Sequence, residues 1–222
     1  MAVITSGATT DTLTVGPTFN AARVEVRPLD HGSLGHYSYG GFTGILPAAL
    51  AANSEIFQFR WTDATRYAVI RKITVSASVS TTFFAAGVPL QMDLIKSVSW
   101  TVQPTGGTSV SPAALLKRRS TMGSSLVAAG DIRIATTAAL GAGTKNLETA
   151  SLATLLAGGP ITASLAPTIL PQTVLWQAEV GDGEHPIILS TNEGFSIRSV
   201  AVPATGTWQA AINVSWAEVT AY

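Results

Sequence analysis

WQAAINVSW, residues 208–216, reads as a half-buried β-strand. Trp208, Ala210, Ile212, Val214 and Trp216 fall on one face, and Gln209, Ala211, Asn213 and Ser215 on the other. Successive strand side chains point to opposite faces, so a two-residue period of this kind sets one face in a core and the other in solvent.

Working outward, the same period recurs. Tyr67–Val79 sets Val69, Ile73, Val75 and Val79 against Lys72, Thr74, Ser76 and Ser78. Arg71 interrupts the apolar side, which places it near a strand end or an interface. Residues 55–61 align Phe57, Phe59 and Trp61, with Gln58 and Arg60 opposite. Further strands are predicted at 23–27 around Val24 and Val26, and at 131–136, 173–180, 186–190 and 194–202. Residues 88–100 form either two strands or a bulged one, and 37–43 is a strand candidate whose glycines lower its β propensity. About nine or ten strands separated by turn chemistry, such as Gly181-Asp182-Gly183, predict an all-β antiparallel sandwich or barrel.

Two short helices are predicted. Ser111-Pro112 offers an N-cap followed by proline at the first helical position, with Lys117, Arg118 and Arg119 in the last turn facing the helix dipole. Asn146 caps a second helix running to Ala157, with Leu152, Leu155 and Leu156 on one face, Gly158 ending it and Pro160 blocking its resumption. Both fall in an Ala/Gly/Ser/Thr/Leu-rich stretch at about 104–170. This reads as a long insertion in one sandwich domain spanning 22–222, either contacting a neighbouring subunit or forming a loose surface excursion. Residues 1–21 have no period and read as an extended N-terminal arm.

Composition narrows the function. Charged residues are 12% of the chain and apolar residues 46%, with zero formal net charge. A usual charged share is about 25%. Such a surface is covered by neighbours in an oligomer, or is a neutral Thr/Ser-rich β surface. Zero net charge supplies no global field for nucleic acid, and Lys117-Arg118-Arg119, the one compact basic run, is a small footprint that reads as solvated or carboxylate-paired. With no cysteine, disulfides, thiolate metal sites and thiol nucleophiles are excluded. Residues 1–20 lack the pattern of a signal peptide, and no run of 18 apolar residues offers a membrane span.

Catalytic signatures are missing. His31, His36 and His185 do not follow a zinc-ligand spacing and read as loop histidines. There is no Gly-x-Ser-x-Gly elbow. Glu55, Asp63, Asp93, Glu179, Glu193 and Glu218 read as strand-face or turn residues and not as an acid/base pair. The expectation is a non-enzymatic protein without metal or cofactor. Phe57, Phe59, Trp61, Trp100, Trp176, Trp208 and Trp216 are expected in the core. Tyr37, Tyr39 and Phe42, in a glycine-rich setting, are expected to be exposed or interfacial. With Leu115, Leu116, Lys117, Arg118 and Arg119 they form the candidate interface set.

The segments GFTGILPAALAANSEIFQFRWTDATRYAVIRKITVSASV (41–79) and NEGFSIRSVAVPATGTWQAAINVSWAEV (192–219), in a cysteine-free, low-charge chain of this size, resemble virion structural proteins of tailed bacteriophages. Head decoration, or cement, proteins are the nearest in character. The resemblance implies a jelly-roll-like β-sandwich that forms homo-oligomers, trimers favoured. It implies docking on a major capsid protein or other virion proteins, and localisation in the virion after synthesis in the host cytoplasm. The chain departs from the longer major-capsid type, while coat, tail and fibre roles stay open. Two other classes compete: a carbohydrate-binding or adhesion module using exposed aromatics, and a hydrolase using a carboxylate pair or a histidine-bound metal.

Overall fold

The computed structural model describes residues 35–80, 82–84, 87–158, 168–178 and 185–220. The arm at 1–21, the strand expected at 23–27, His31 and the Gly181-Asp182-Gly183 turn lie outside them.

The described chain is all-β. Its strands are β1 (Gly35–Phe42), β2 (Leu46–Pro47), β3 (Ser54–Trp61), β4 (Tyr67–Val79), β5 (Leu90–Val102), β6 (Thr108–Ser109) and β7 (Leu116–Lys117). They continue with β8 (Ile132–Ile134), β9 (Thr144–Leu147), β10 (Ala153–Ala157), β11 (Thr168–Gln177), β12 (Ile187–Leu189), β13 (Glu193–Ala201) and β14 (Thr207–Val219). Two seven-stranded sheets result. The first runs β11-β4-β14-β1-β7, with β12 also on β4 and β2 also on β14. The second runs β10-β5-β13-β3-β8-β6, with β9 also on β5. The pairings are antiparallel throughout.

The strands β1, β3, β4, β5, β10, β11, β13 and β14 pair from the outside in. β1 pairs with β14, β3 with β13, β4 with β11, and β5 with β10. β14 then joins β4, and β13 joins β5.

β14, which contains residues 208–216, is the centre of the first sheet. Trp208, Ala210, Ile212, Val214 and Trp216 of β14 are buried in one large core cluster with Phe57, Phe59 and Trp61 of β3 and Phe195 and Ile197 of β13. The two sheets meet there through aromatic contacts. Phe59 and Trp216 lie edge-to-face at 5.1 Å, and Tyr39 stacks on Phe57 at 6.0 Å. Each such pair adds about 0.5–1.5 kcal/mol beyond area burial. The Trp61 indole N–H donates to the Arg66 carbonyl at 2.8 Å, so its polar atom is satisfied inside the core.

Arg71 sits where β4 bulges. Ser215 pairs with Lys72 but Trp216 pairs with Ile70, which leaves Arg71 as the extra residue. The bulge shifts the strand's phase by one. Ile73, Val75, Ala77 and Val79 face the core, as do Ala68 and Ile70, whereas Val69 joins a small cluster on the other side with Ala217 and Val219. The shared face expected for Val69 and Ile73 is therefore corrected: one inserted residue inverts every side chain beyond it.

Both expected helices are corrected. The Ser111 hydroxyl does accept from the Ala113 amide, but the helix is one 3-10 turn, Pro112–Ala114. It stops because Leu116 and Lys117 pair with Ser38 and Tyr37 of β1. Residues 146–157 are not helical either: they hold the end of β9, a turn at 148–152 and β10. β9 lies on β5, and Ala153–Ala157 pairs residue by residue with Leu94 down to Leu90. Ladder hydrogen bonds on an otherwise open β5 edge outweigh the modest helical propensity of Ala and Leu. The stretch 104–170 thus contributes strands to both sheets among its described residues.

Trp100 is fully buried but stands apart from the main core. It lies on the outer face of the second sheet, over Gly194, where a Cβ would come within 2.8 Å of its ring and 2.2 Å of the Phe59 carbonyl. Glycine at 194 lets an indole lie flat on the strand. Of the residues 88–100, those from 90 onward fall in one irregular strand, β5, with Ser99 at φ 52° and a register shift between Val98 and Val102.

Candidate functional site

Three places concentrate polar chemistry. The first is the outer face of the second sheet. Lys145 of β9 reaches the Glu55 carboxylate at 2.5 Å with only 2% of its side chain exposed. Glu55 also accepts from the Gln58 amide and from the Ser196 hydroxyl at 2.8 Å. The Lys145 ammonium lies 4.1 Å from the centre of the Trp100 ring. Burial holds this ammonium below the ordinary lysine value, with the Glu55 charge opposing. Beside it, Arg198 grips Asp93 through two hydrogen bonds, and Ser151 donates to the same carboxylate at 2.5 Å. These groups are consumed by one another, and they fasten β9 and the 140–152 segment onto the sheet. A buried, satisfied pair of this kind positions chain and offers no open acid or base.

The second is a latch at one end of the core. Glu218, on the inner face of β14, is fully buried. It accepts from the Ser125 hydroxyl at 2.5 Å, the Leu126 amide at 3.1 Å and the Trp216 indole at 3.1 Å. Nearby, the Tyr37 hydroxyl donates to the Gly123 carbonyl at 3.0 Å. Two strands thus pin the 123–126 strap. Desolvation pushes the Glu218 carboxyl above its ordinary value of 4.5, against the pull of its donors. A raised folded value means that the folded state holds the proton to higher pH than the unfolded chain. The group's contribution is complete below pH 4.5 and is lost as pH rises through the folded value. Unfolding free energies of wild type and Glu218→Gln, measured by urea titration from pH 4.5 to 8, are expected to move in the variant's favour as pH rises. A pH-independent difference would contradict this.

The third place is the outer face of the first sheet, where the expected interface residues gather. β1 carries Ser38, Gly40 and Phe42 outward, and β7 brings Leu116 beside it. At one end, Phe42 is 72% exposed and Ile169 of β11 is 75% exposed. They flank a depression of about 160 Å³ floored by Ser76, Ser78 and Ala211. At the other end lies a groove of about 450 Å³. Ser38, Gly40, Thr74, Asn213 and Ser215 form its floor, Gln172 and Val174 one side, and Leu116 and Arg118 the other, with Lys72 on β4. The Gln172 amide donates to the Thr74 hydroxyl at 2.8 Å, and the Asn213 amide donates to it at 3.3 Å.

The candidate set divides accordingly. Phe42, Leu116, Lys117, Arg118 and Arg119 are exposed and lie at the β1–β7 edge of this face. Tyr37 and Leu115 are buried, which corrects the expectation of an exposed aromatic at 37. Tyr37 falls on the inner parity of β1 and stacks on Trp216 at 6.0 Å. Tyr39, on the same parity, is half-buried against the core. The three basic residues do not close a helix; Arg118 donates its amide to the His36 carbonyl at 3.0 Å just beyond β7. Lys72, Thr74, Gln172, Asn213 and Ile169 were not singled out from sequence. Alternation alone marked the first, second and fourth as outward, and no local signal marked Gln172 or Ile169.

His185 is exposed with its Nδ1 3.0 Å from the Pro186 carbonyl. Among the described residues no cluster of three metal-ligating side chains occurs, and no helix is long and apolar enough to cross a membrane. No protein-family model, curated protein or solved structure matches the chain.

Proposed function

We propose that the chain is a non-catalytic structural protein of a bacteriophage virion. In this reading it is a decoration or cement component that stabilises the shell through symmetric contacts with copies of itself and with capsid proteins. The observation that carries the reading is the apolar end of the first sheet's outer face. Two large side chains, Phe42 and Ile169, stand about three-quarters exposed there around a floor of small residues. Exposed apolar groups that cluster over a neutral floor favour contact with another protein surface, where aromatics are enriched and charges depleted.

The winding supports the same reading. Among the eight strands β1, β3, β4, β5, β10, β11, β13 and β14, the nested pairing of first with last through fourth with fifth is the order that a jelly-roll-like sandwich would call for. A strand-rich body with a low-charge surface suits close packing in a lattice, where association is the function. Other virion positions, in a coat, tail or fibre, would use the same surface.

The test is substitution at that end. Phe42→Glu and Ile169→Glu are expected to leave the melting temperature nearly unchanged, since both side chains are exposed. Each is expected to weaken self-association at least about tenfold, or ~1.4 kcal/mol, in sedimentation experiments. Unchanged association in both variants would refute the assignment of this end as a contact.

A further inference from the structure

We propose that the groove at the other end of the same face is a binding site for carboxylated sugars, at the scale of a di- or trisaccharide of sialic or uronic acid type.

Charge supplies the first argument. Among the described residues Arg60, Arg66, Lys96, Lys145 and Arg198 each face a carboxylate within 4.0 Å. Lys72, Lys117, Arg118, Arg119 and Arg133 make no such pair with a described carboxylate; of these, Lys72 and Arg118 line the groove, which contains no acidic residue. Two unneutralised cations on opposite sides of a concave surface favour an anionic occupant.

The floor supplies the second. Thr74 is 6% exposed, and its oxygen already accepts from two amides, so its hydroxyl proton remains to donate outward. Those two bonds also fix the Gln172 and Asn213 amides and leave their carbonyl oxygens as acceptors. Ser38 and Ser215 add two hydroxyls. This is a preorganised set of alternating donors and acceptors, suited to the hydroxyls of a sugar.

The walls supply the third. Leu116 is 67% exposed and Val174 48% exposed on opposite sides. They offer apolar patches to the C–H faces of a pyranose ring. Gly40 keeps the groove open: a Cβ there would come within 2.6 Å of the Asn213 side-chain oxygen. A volume of about 450 Å³ lies in the range of small-molecule sites, which runs from about 300 to 1,000 Å³, and is far larger than a free inorganic anion needs.

An acidic peptide suits the groove less well. The backbone of the floor strands is committed to the ladders on both sides of β14 and β4, so a docked peptide would bury its own amides without backbone partners.

The experiment is calorimetric titration of the full chain with sialyllactose and with trigalacturonate. Lactose and galactotriose serve as neutral controls and hexaglutamate as the peptide control. At least one carboxylated sugar is expected to bind about tenfold or more tightly than its neutral control, and less tightly in high salt. Lys72→Ala and Arg118→Ala are each expected to weaken it several-fold with unchanged melting, both side chains being exposed. Gly40→Val, which fills the groove and leaves both cations in place, is expected to abolish it. The proposal is overturned by any of four results: no heat with either carboxylated sugar, equal binding of neutral sugars, tighter binding of hexaglutamate, or indifference to all three substitutions. Phe42→Glu separates this site from the contact surface, because it should lower association and leave sugar binding intact.

Discussion

Replacing Lys145 by alanine is expected to destabilise the fold by about 3–5 kcal/mol, the cost of leaving a buried charge without its partner. Glu55 is 7% exposed and would keep only the Gln58 amide and the Ser196 hydroxyl as donors. The Trp100 ring would lose the cation that lies over it and part of the alkyl stem that covers it. The double variant Glu55→Gln/Lys145→Met removes both charges and retains an acceptor oxygen and an apolar stem. It is expected to recover the greater part of the loss, since a neutral replacement of a buried pair is often close to neutral in stability. Urea midpoints at fixed pH measure both. A Lys145→Ala loss below about 1 kcal/mol, the range of exposed pairs, would show that the pair is solvated.

Trp216→Ala is expected to cost a further class of energy of similar size, about 3–5 kcal/mol, because a large core ring leaves a cavity. Trp216 is fully buried, stacks on Tyr37, meets Phe59 edge-on and donates to Glu218. Its removal also takes one donor from the latch carboxylate. For a chain of this size the melting temperature is expected to fall by about 6–20 °C. Trp216→Phe, which keeps most of the volume and loses only the indole donor, should cost markedly less. Equal losses in the two variants would place the effect in the Glu218 hydrogen bond and not in packing.

These two residues also show what the sequence made legible. Trp216 announced itself: five alternating apolar positions on one strand leave little choice of face. Lys145 did not, because its burial depends on Trp100, Glu55 and Ser196, all brought in by other strands. The same contrast holds elsewhere. Ser111-Pro112 carries a true capping signal, yet tertiary pairing with β1 ends the helix after one turn. Leu152, Leu155 and Leu156 fit a helical stripe and a strand equally well. Only the β5 edge decides, turning Leu155 toward the core and leaving Leu156 68% exposed. Arg71 was recognisable as an interruption, but the bulge that explains it requires the register of β14.

The outer face of the first sheet is assembled from β1, β4, β7, β11 and β14, which come from five distant parts of the chain. Alternation predicts which side chains point outward, and it does not predict which strands are neighbours. That is why Phe42 and the 115–119 run could be grouped as interface candidates, while their placement at opposite ends of one face, and the partnership of Phe42 with Ile169, could not be read.

We propose that this chain associates with itself to build or brace a shell. Sedimentation equilibrium of the wild-type protein over a wide concentration range tests it most directly. The expected result is a mass that is a multiple of 22.9 kDa, with about three copies favoured, and dissociation when Phe42 is made acidic. A mass of 22.9 kDa at every concentration, together with no binding to purified capsids, would contradict it.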